Sequence, residues 1–462
     1  MISAVLRRHV REDHPLIKQK RSTRRCNQSG SALRLRGMPD RQRLGVLGAV
    51  LGLVIGVISC GSPRVSDAPP RPVPVAQDVP ANVAALAAAD DALGVDLLAA
   101  PAVARTGNVA VSPVSVALAL QMVASGAAGS TAKEIAHVLH LQDGSAAATA
   151  AEGLLRNLAA TERDDHNTLR VSNTVWTQQG LPIKPIFTEA LRTRFASSVK
   201  GADFAHDPNG VRDRINATVA DQTDGEIAQL FPPGTLDGTT RLVLTNAIYL
   251  SASWAQAFPP AKTAQAPFTR ADGSTVSVPM MHNEPDQHPD IELGYASGPG
   301  YQVVTLPYVG GRLAFTVLLP TGPSLDSLID LLRTKGLAPA LSAVTPARVA
   351  LAMPKFAVRS NLDLSGALAS GGMPDAFADT ADFSGITTAE RLKIQTVRHE
   401  TFVQADEHGT TAAAASGAGA QVTSAPMGVT VTIDHPFLFV ITDTSTGAPL
   451  FLGKVTDPSA QS

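Results

Sequence analysis

The chain has 462 residues but only two cysteines, Cys26 and Cys60. Everything after residue 60 is therefore without a disulfide, a Cys nucleophile or a thiolate metal site. Aromatic residues make up only 4%, so a core must be packed from aliphatic side chains, and the apolar fraction of 44% is ample for one. No G-x-S-x-G elbow, Walker A loop or H-E-x-x-H pair occurs, which removes the commonest signs of an enzyme. No cofactor is implied, and no internal repeat is visible. Basic charge is also scarce beyond the head of the chain. Residues 1–60 hold 12 of the 38 Lys and Arg but 3 of the 40 Asp and Glu, which leaves the remainder near -11 and argues against nucleic acid.

The head itself carries targeting information. A basic stretch ending at Arg41 and Arg43 precedes an apolar run, Leu44 to Ile58, too short for a comfortable membrane span. Val57-Ile-Ser-Cys60 resembles a bacterial lipobox, in which Cys60 becomes the lipid-bearing first residue; an ordinary signal peptide or a single anchor helix are the alternatives. Met38 is a more natural start than Met1, since residues 1–37 only lengthen the basic region. Residues 61–80, with six prolines, read as a stiff solvated tether. The expected organisation is thus 1–60 extension and signal, 61–80 tether and 81–462 folded domain, on a cell-surface lipoprotein or a secreted protein.

Within the body, Val83 to Ala99 reads as an Ala/Leu-rich helix. Ser112-Pro113 supplies an N-cap hydroxyl and a first-turn proline for a second helix through Ala124, apolar on nearly every face and hence expected at the centre of the fold. Thr131-x-x-Glu134 reads as a capping box for a third helix ending at Leu139. Val211, Ile215 and Val219 share one helical face. Strands are expected at Leu242 to Leu250, Val303 to Leu306, Leu313 to Leu319, Arg348 to Met353 and Leu392 to Glu407, with a helix at Leu325 to Leu332. Segregated helices with hairpin-linked strands argue for an α+β fold. His282, Glu284, Asp286 and His288 cluster, but Pro285 and Pro289 deny them a regular element, so a solvated loop is expected and no metal site. Asp434-His435 near Ser445 lacks any accompanying oxyanion-hole signature and is not read as a triad.

The most informative stretch is Glu407 to Gly417, EHGTTAAAASG, which joins a polar strand to a run of small residues. Such a run suits an exposed loop, and it can also slide between two strands without clashing with either face of a sheet. Asn108-Val-Ala-Val-Ser-Pro-Val-Ser115, Leu242 to Trp254, Glu407-x-Gly-Thr-x-Ala-Ala-Ala-Ala, and Asp434-His-Pro-Phe-Leu-Phe439 followed by Leu450-Phe-Leu-Gly-Lys-Val455 occur in the order and spacing of one family. The chain resembles a serpin, a serine protease inhibitor of the suicide-substrate type, from about Val83 to Pro458.

The resemblance implies a large, mostly antiparallel central sheet with smaller sheets, eight to nine helices and an exposed reactive-centre loop. It implies a covalent acyl complex with a serine protease, whose cleavage of the loop lets the hinge enter the sheet. Hinge positions correspond to Glu407, Gly409, Thr410, Ala412, Ala413, Ala414 and Ala415; Thr410, Ala412, Ala414 and Ser416 share the face that turns inward. The polar cluster where the sheet opens corresponds to Ser112, Ser115, Asn246 and His399, with Trp254 at the top where the hinge enters, while His435 belongs to a structural strand. The family interval from Glu407 puts the reactive bond at Thr423–Ser424; counting back from Pro436 gives Ala425, so Val422 and Ala425 are alternatives. These small side chains suit an elastase-like pocket, and Met427 a chymotrypsin-like one. Leu141 to Leu169 has no basic face for a heparin-like activator, and a monomer is expected. A non-inhibitory carrier or chaperone is the alternative function.

Overall fold

The structure is a computed structural model. It describes residues 80–460 apart from 106, 142–143, 162–166, 224, 284, 286–291, 323 and 411–427. All of these belong to the compact unit Asp67–Ser462. Cys60, the tether and the reactive-bond candidates Val422, Thr423, Ser424 and Ala425 lie outside the described residues, as do hinge positions Ala412, Ala413, Ala414 and Ala415.

Three sheets carry the fold. The six-stranded sheet runs Phe356–Asp363, Val397–Ala405, Gly409–Thr410, Leu242–Ser253, Asn167–Gln178, Val199–Ala202. A seven-stranded sheet has the terminal hairpin Phe437–Asp443 and Pro449–Val455 near one edge, and a four-stranded sheet ends on Val429–Thr432. Ten α-helices occur among the described residues. Helix Pro113–Ala124 is buried over nearly its whole length, as its all-round apolar sequence requires. Ser112 caps it, its Oγ accepting the Ser115 amide at 3.3 Å. The helix packs under the six-stranded sheet and against Pro449–Val455.

Strand Leu242–Ser253 is buried without interruption from Leu242 to Ile248, then alternates. Covered on both sides, its lower half loses the two-residue period that marks a half-exposed strand. On one face lies the main core; on the other, Trp176, Val243 and Ala247 meet Val211, Ile215 and Val219 of helix Pro208–Gln222.

Two expected elements differ. The strand expected from Leu392 begins at Val397; Leu392 and Ile394 are buried as irregular backbone, with the Ile394 amide bonded to Ala376 O, because alternation records burial rather than pairing. The third helix starts at Gly129, not after Thr131. Thr131 and Glu134 lie inside it, and their oxygens accept the amides of Asp382 (3.0 Å) and Asp375 (2.9 Å), so the capping chemistry serves a neighbouring segment.

Candidate functional site: a forked sheet and its hinge

Strands Leu242–Ser253 and Val397–Ala405 run parallel and pair directly over four residues only, Val397↔Leu244 to Glu400↔Ala247. Further up, the chain leaving Ala405 turns back and places Gly409–Thr410 between them. Thr410 pairs antiparallel with Ala405 on one side and Ala252 on the other, and Gly409 pairs with Ser253. The sheet is thus a fork, closed at one end and entered by the hinge at the other. Ala252 lies six residues beyond Asn246, about 20 Å along the strand.

The hinge end is held by many bonds. The Trp254 amide donates to His408 O (2.9 Å) and the Phe258 amide to Glu407 O (2.8 Å). The Trp254 indole donates to Asp406 O at 2.8 Å. Trp254 stacks on Tyr308 with ring centroids 4.7 Å apart, and Phe315 meets its edge. The Tyr308 hydroxyl, fully buried, bonds the Thr410 hydroxyl at 2.5 Å; burial pushes its phenol pKa well up despite that bond. Thr410 is itself 1% exposed, facing inward. Gly409 is required by close approach, since a Cβ there would lie 2.0 Å from Ala252 O. Glu407 is clamped by Lys355 Nζ at 2.6 Å and the Thr263 hydroxyl at 2.8 Å. Burial alone would raise its carboxyl pKa, but Lys355 and Thr263 outweigh that and hold it below the ordinary value.

The closed end holds the polar cluster. The Ser112 amide donates to His399 Nε2 at 2.9 Å, which leaves the ring proton on Nδ1. Asn246 donates to Ser115 O (2.9 Å) and to Asn173 Oδ1. His399 and Asn246 pair directly across the seam. Three buried polar atoms of this cluster, Ser115 Oγ, Asn246 Oδ1 and His399 Nδ1, have no partner. Burial pulls the His399 pKa down to about 4, so the ring is neutral at physiological pH. A polar cluster with unpartnered atoms thus lies where only four residue pairs join the two strands directly.

The structure therefore brings Ser112, Ser115, Asn246 and His399 together and sets Trp254 at the opposite end of the fork with Glu407, Gly409 and Thr410. Tyr308, Lys355, Thr263 and Asp406 are site residues that sequence reasoning missed. Lys355 follows a strand directly at Pro354, a lone cation that offered the one visible signal. His435 is occupied by Asp434 Oδ1 and Pro320 O, both at 2.8 Å, while Ser445 bonds Asp443, so these residues form no triad. His282 ends strand Thr275–His282, and Glu284, Asp286 and His288 lie outside the described residues.

The profile described as Serpin (serine protease inhibitor) matches residues 88–458. The chain belongs to the serpin family. Leukocyte elastase inhibitor A of Mus musculus is 31% identical over 76% of this chain and 94% of its own length. An uncharacterized serpin-like protein of Thermococcus kodakarensis is 35% identical over 77% of this chain and 82% of its own. Among solved structures, human thyroxine-binding globulin complexed with thyroxine superposes with a TM-score of 0.72 at 26% identity, covering 82% of this chain and all of that one. The fold is accordingly the α+β serpin fold, and this serpin belongs to a family of protease inhibitors, not of enzymes.

Proposed function

We propose that this serpin is inhibitory, a suicide substrate that traps a serine protease. The observation carrying the reading is that Gly409–Thr410 already holds a strand position bonded to both sides of the fork. In the proposed reaction the protease serine attacks the Thr423 carbonyl, an ester forms, and the amine of Ser424 leaves. The freed segment beyond Thr410 continues down the fork, carrying the acylated enzyme with it. Each new ladder bond is worth about 0.5–1.5 kcal/mol net, so roughly a dozen of them with side-chain burial exceed 10 kcal/mol.

An elastase-like target fits best. Residues 411–427 contain neither Lys nor Arg, which leaves trypsin-like pockets unsatisfied, and one relative is named as a leukocyte elastase inhibitor. The chain acts as a monomer, without cofactor or heparin-like activator, as a bacterial lipoprotein anchored through Cys60 or as a secreted protein. Incubation with an elastase-type protease should give a band of combined mass that survives denaturing electrophoresis, and a released C-terminal peptide beginning at Ser424. Clean cleavage without that band would refute inhibition and return a carrier or chaperone role.

A further inference from the structure

We infer that Asp406 is a positioning residue for strand insertion, holding the hinge as a pre-formed turn from which the new strand grows. The inference rests on the inhibitory reading above. A tight reversal between antiparallel strands closes with a pair of backbone bonds across the turn. Here only one exists, from the Asp406 amide to Gly409 O at 3.0 Å. The return bond, from the Gly409 amide to Asp406 O, is absent, and Asp406 O accepts the Trp254 indole at 2.8 Å instead. The Asp406 side chain stands in for it: Oδ1 accepts the His408 amide at 2.8 Å and the Gly409 amide at 3.3 Å.

This substitution joins two functions in one residue. The main-chain oxygen ties the turn to a tryptophan packed in the core, and the side chain closes the turn on itself. Gly409 is buried, so its amide finds no ready replacement acceptor in water. The adjacent Glu407 carboxylate is committed to Lys355 and Thr263 and is not free to substitute. With the turn closed, the loop-closure cost of starting a new hairpin is already met before any protease arrives. Without it, Gly409–Thr410 frays from the fork and insertion must begin by nucleating the reversal.

The consequence is kinetic, because insertion competes with deacylation of the trapped enzyme. The number of inhibitor molecules consumed per protease is one plus the ratio of the deacylation rate to the insertion rate. Asp406→Ala removes the acceptor of two amides, whereas Asp406→Asn keeps an oxygen at the Oδ1 position and drops only the charge. Titration of an elastase-type protease with the full chain is expected to show a stoichiometry raised several-fold, about tenfold at most, for Asp406→Ala. The product of association rate constant and stoichiometry, which reports acylation alone, should stay unchanged. Asp406→Asn should return to within twofold of the wild type, a rescue that a charge role would not give. Amide hydrogen exchange on the uncleaved protein supplies the structural arm: His408 and Gly409 should exchange about tenfold faster or more in Asp406→Ala and stay protected in Asp406→Asn. Wild-type trapping with no difference between Asp406→Ala and wild type, or Asn no better than Ala, overturns the inference alone; failure of the wild type to trap any protease overturns the inhibitory reading and this inference with it.

Discussion

Replacing Ala413 and, separately, Ala414 by Glu tests the fork as a register rather than as a general opening. Thr410 stands opposite Ala405 and Ala252. Stepping antiparallel along both neighbours, residue 412 meets Val403 and Leu250, residue 414 meets Thr401 and Ile248, and residue 416 meets His399 and Asn246. The two countings are independent, and they agree because His399 and Asn246 already pair with each other. Thr401 and Ile248 are both almost fully buried, so on insertion the new carboxylate of Ala414→Glu enters the core with no cation beside it, at a cost of at least about 3 kcal/mol. Residue 413 instead meets Phe402 and Tyr249, both half-buried on the outer face, where a carboxylate keeps much of its hydration. If half the buried-charge cost is felt at the barrier, insertion slows about tenfold for Ala414→Glu and little for Ala413→Glu. Titrating a fixed amount of protease reads this as inhibitor consumed: near wild type for Ala413→Glu, and many cleaved molecules per trapped enzyme for Ala414→Glu. Equal stoichiometries, or the reverse order, would show that the loop does not enter in the register of Gly409–Thr410.

Three further outcomes follow from ionisation. His399 has a folded pKa of about 4 against an ordinary 6.5, so the unfolded chain takes up its proton first and stability falls as pH drops from 6.5 to 4, by about 3 kcal/mol in all. Urea unfolding of His399→Gln should lack that acid slope. Asp91 is buried with its Oδ1 unpartnered and titrates near 8 instead of 3.8; between those values the folded state holds a proton the unfolded chain has released. Stability should fall on the order of 5 kcal/mol as pH climbs through that window, so Asp91→Asn should raise the urea midpoint at pH 8 and leave it unchanged at pH 4. Asp90 beside it is raised in the same sense, by burial first and by Asp91 second. Lys355→Met should lower stability by roughly 1–2 kcal/mol at pH 7, a figure kept small because the ammonium is about a third exposed. The clamp's contribution is present above the ordinary carboxylate range and disappears as pH falls through the depressed pKa of Glu407.

Local composition alone specified much of this molecule. Ser112-Pro113 and an all-round apolar run defined a capped, central helix, because capping and burial are written in adjacent residues. Glu407, Gly409, Thr410 and the small residues after them suit a linker equally well, and it was their resemblance to serpins that pointed to a hinge, where a segment entering a packed sheet must be small on its inward face. Tertiary structure decided what spacing does not encode. It started the long strand at Val397 instead of Leu392, moved the bonds of Thr131 and Glu134 from a helix start to a distant segment, and set Lys355, Thr263 and Tyr308 around Glu407 to Thr410 from three separate stretches of chain. It also determined that Ser112 bonds His399 and Asn246 bonds Ser115 in the seam cluster, while His399 Nδ1 stays unpartnered. A residue's preference for a helix or a turn is settled by its neighbours in sequence, but a hydrogen bond between residues more than a hundred positions apart depends on the relative placement of whole elements.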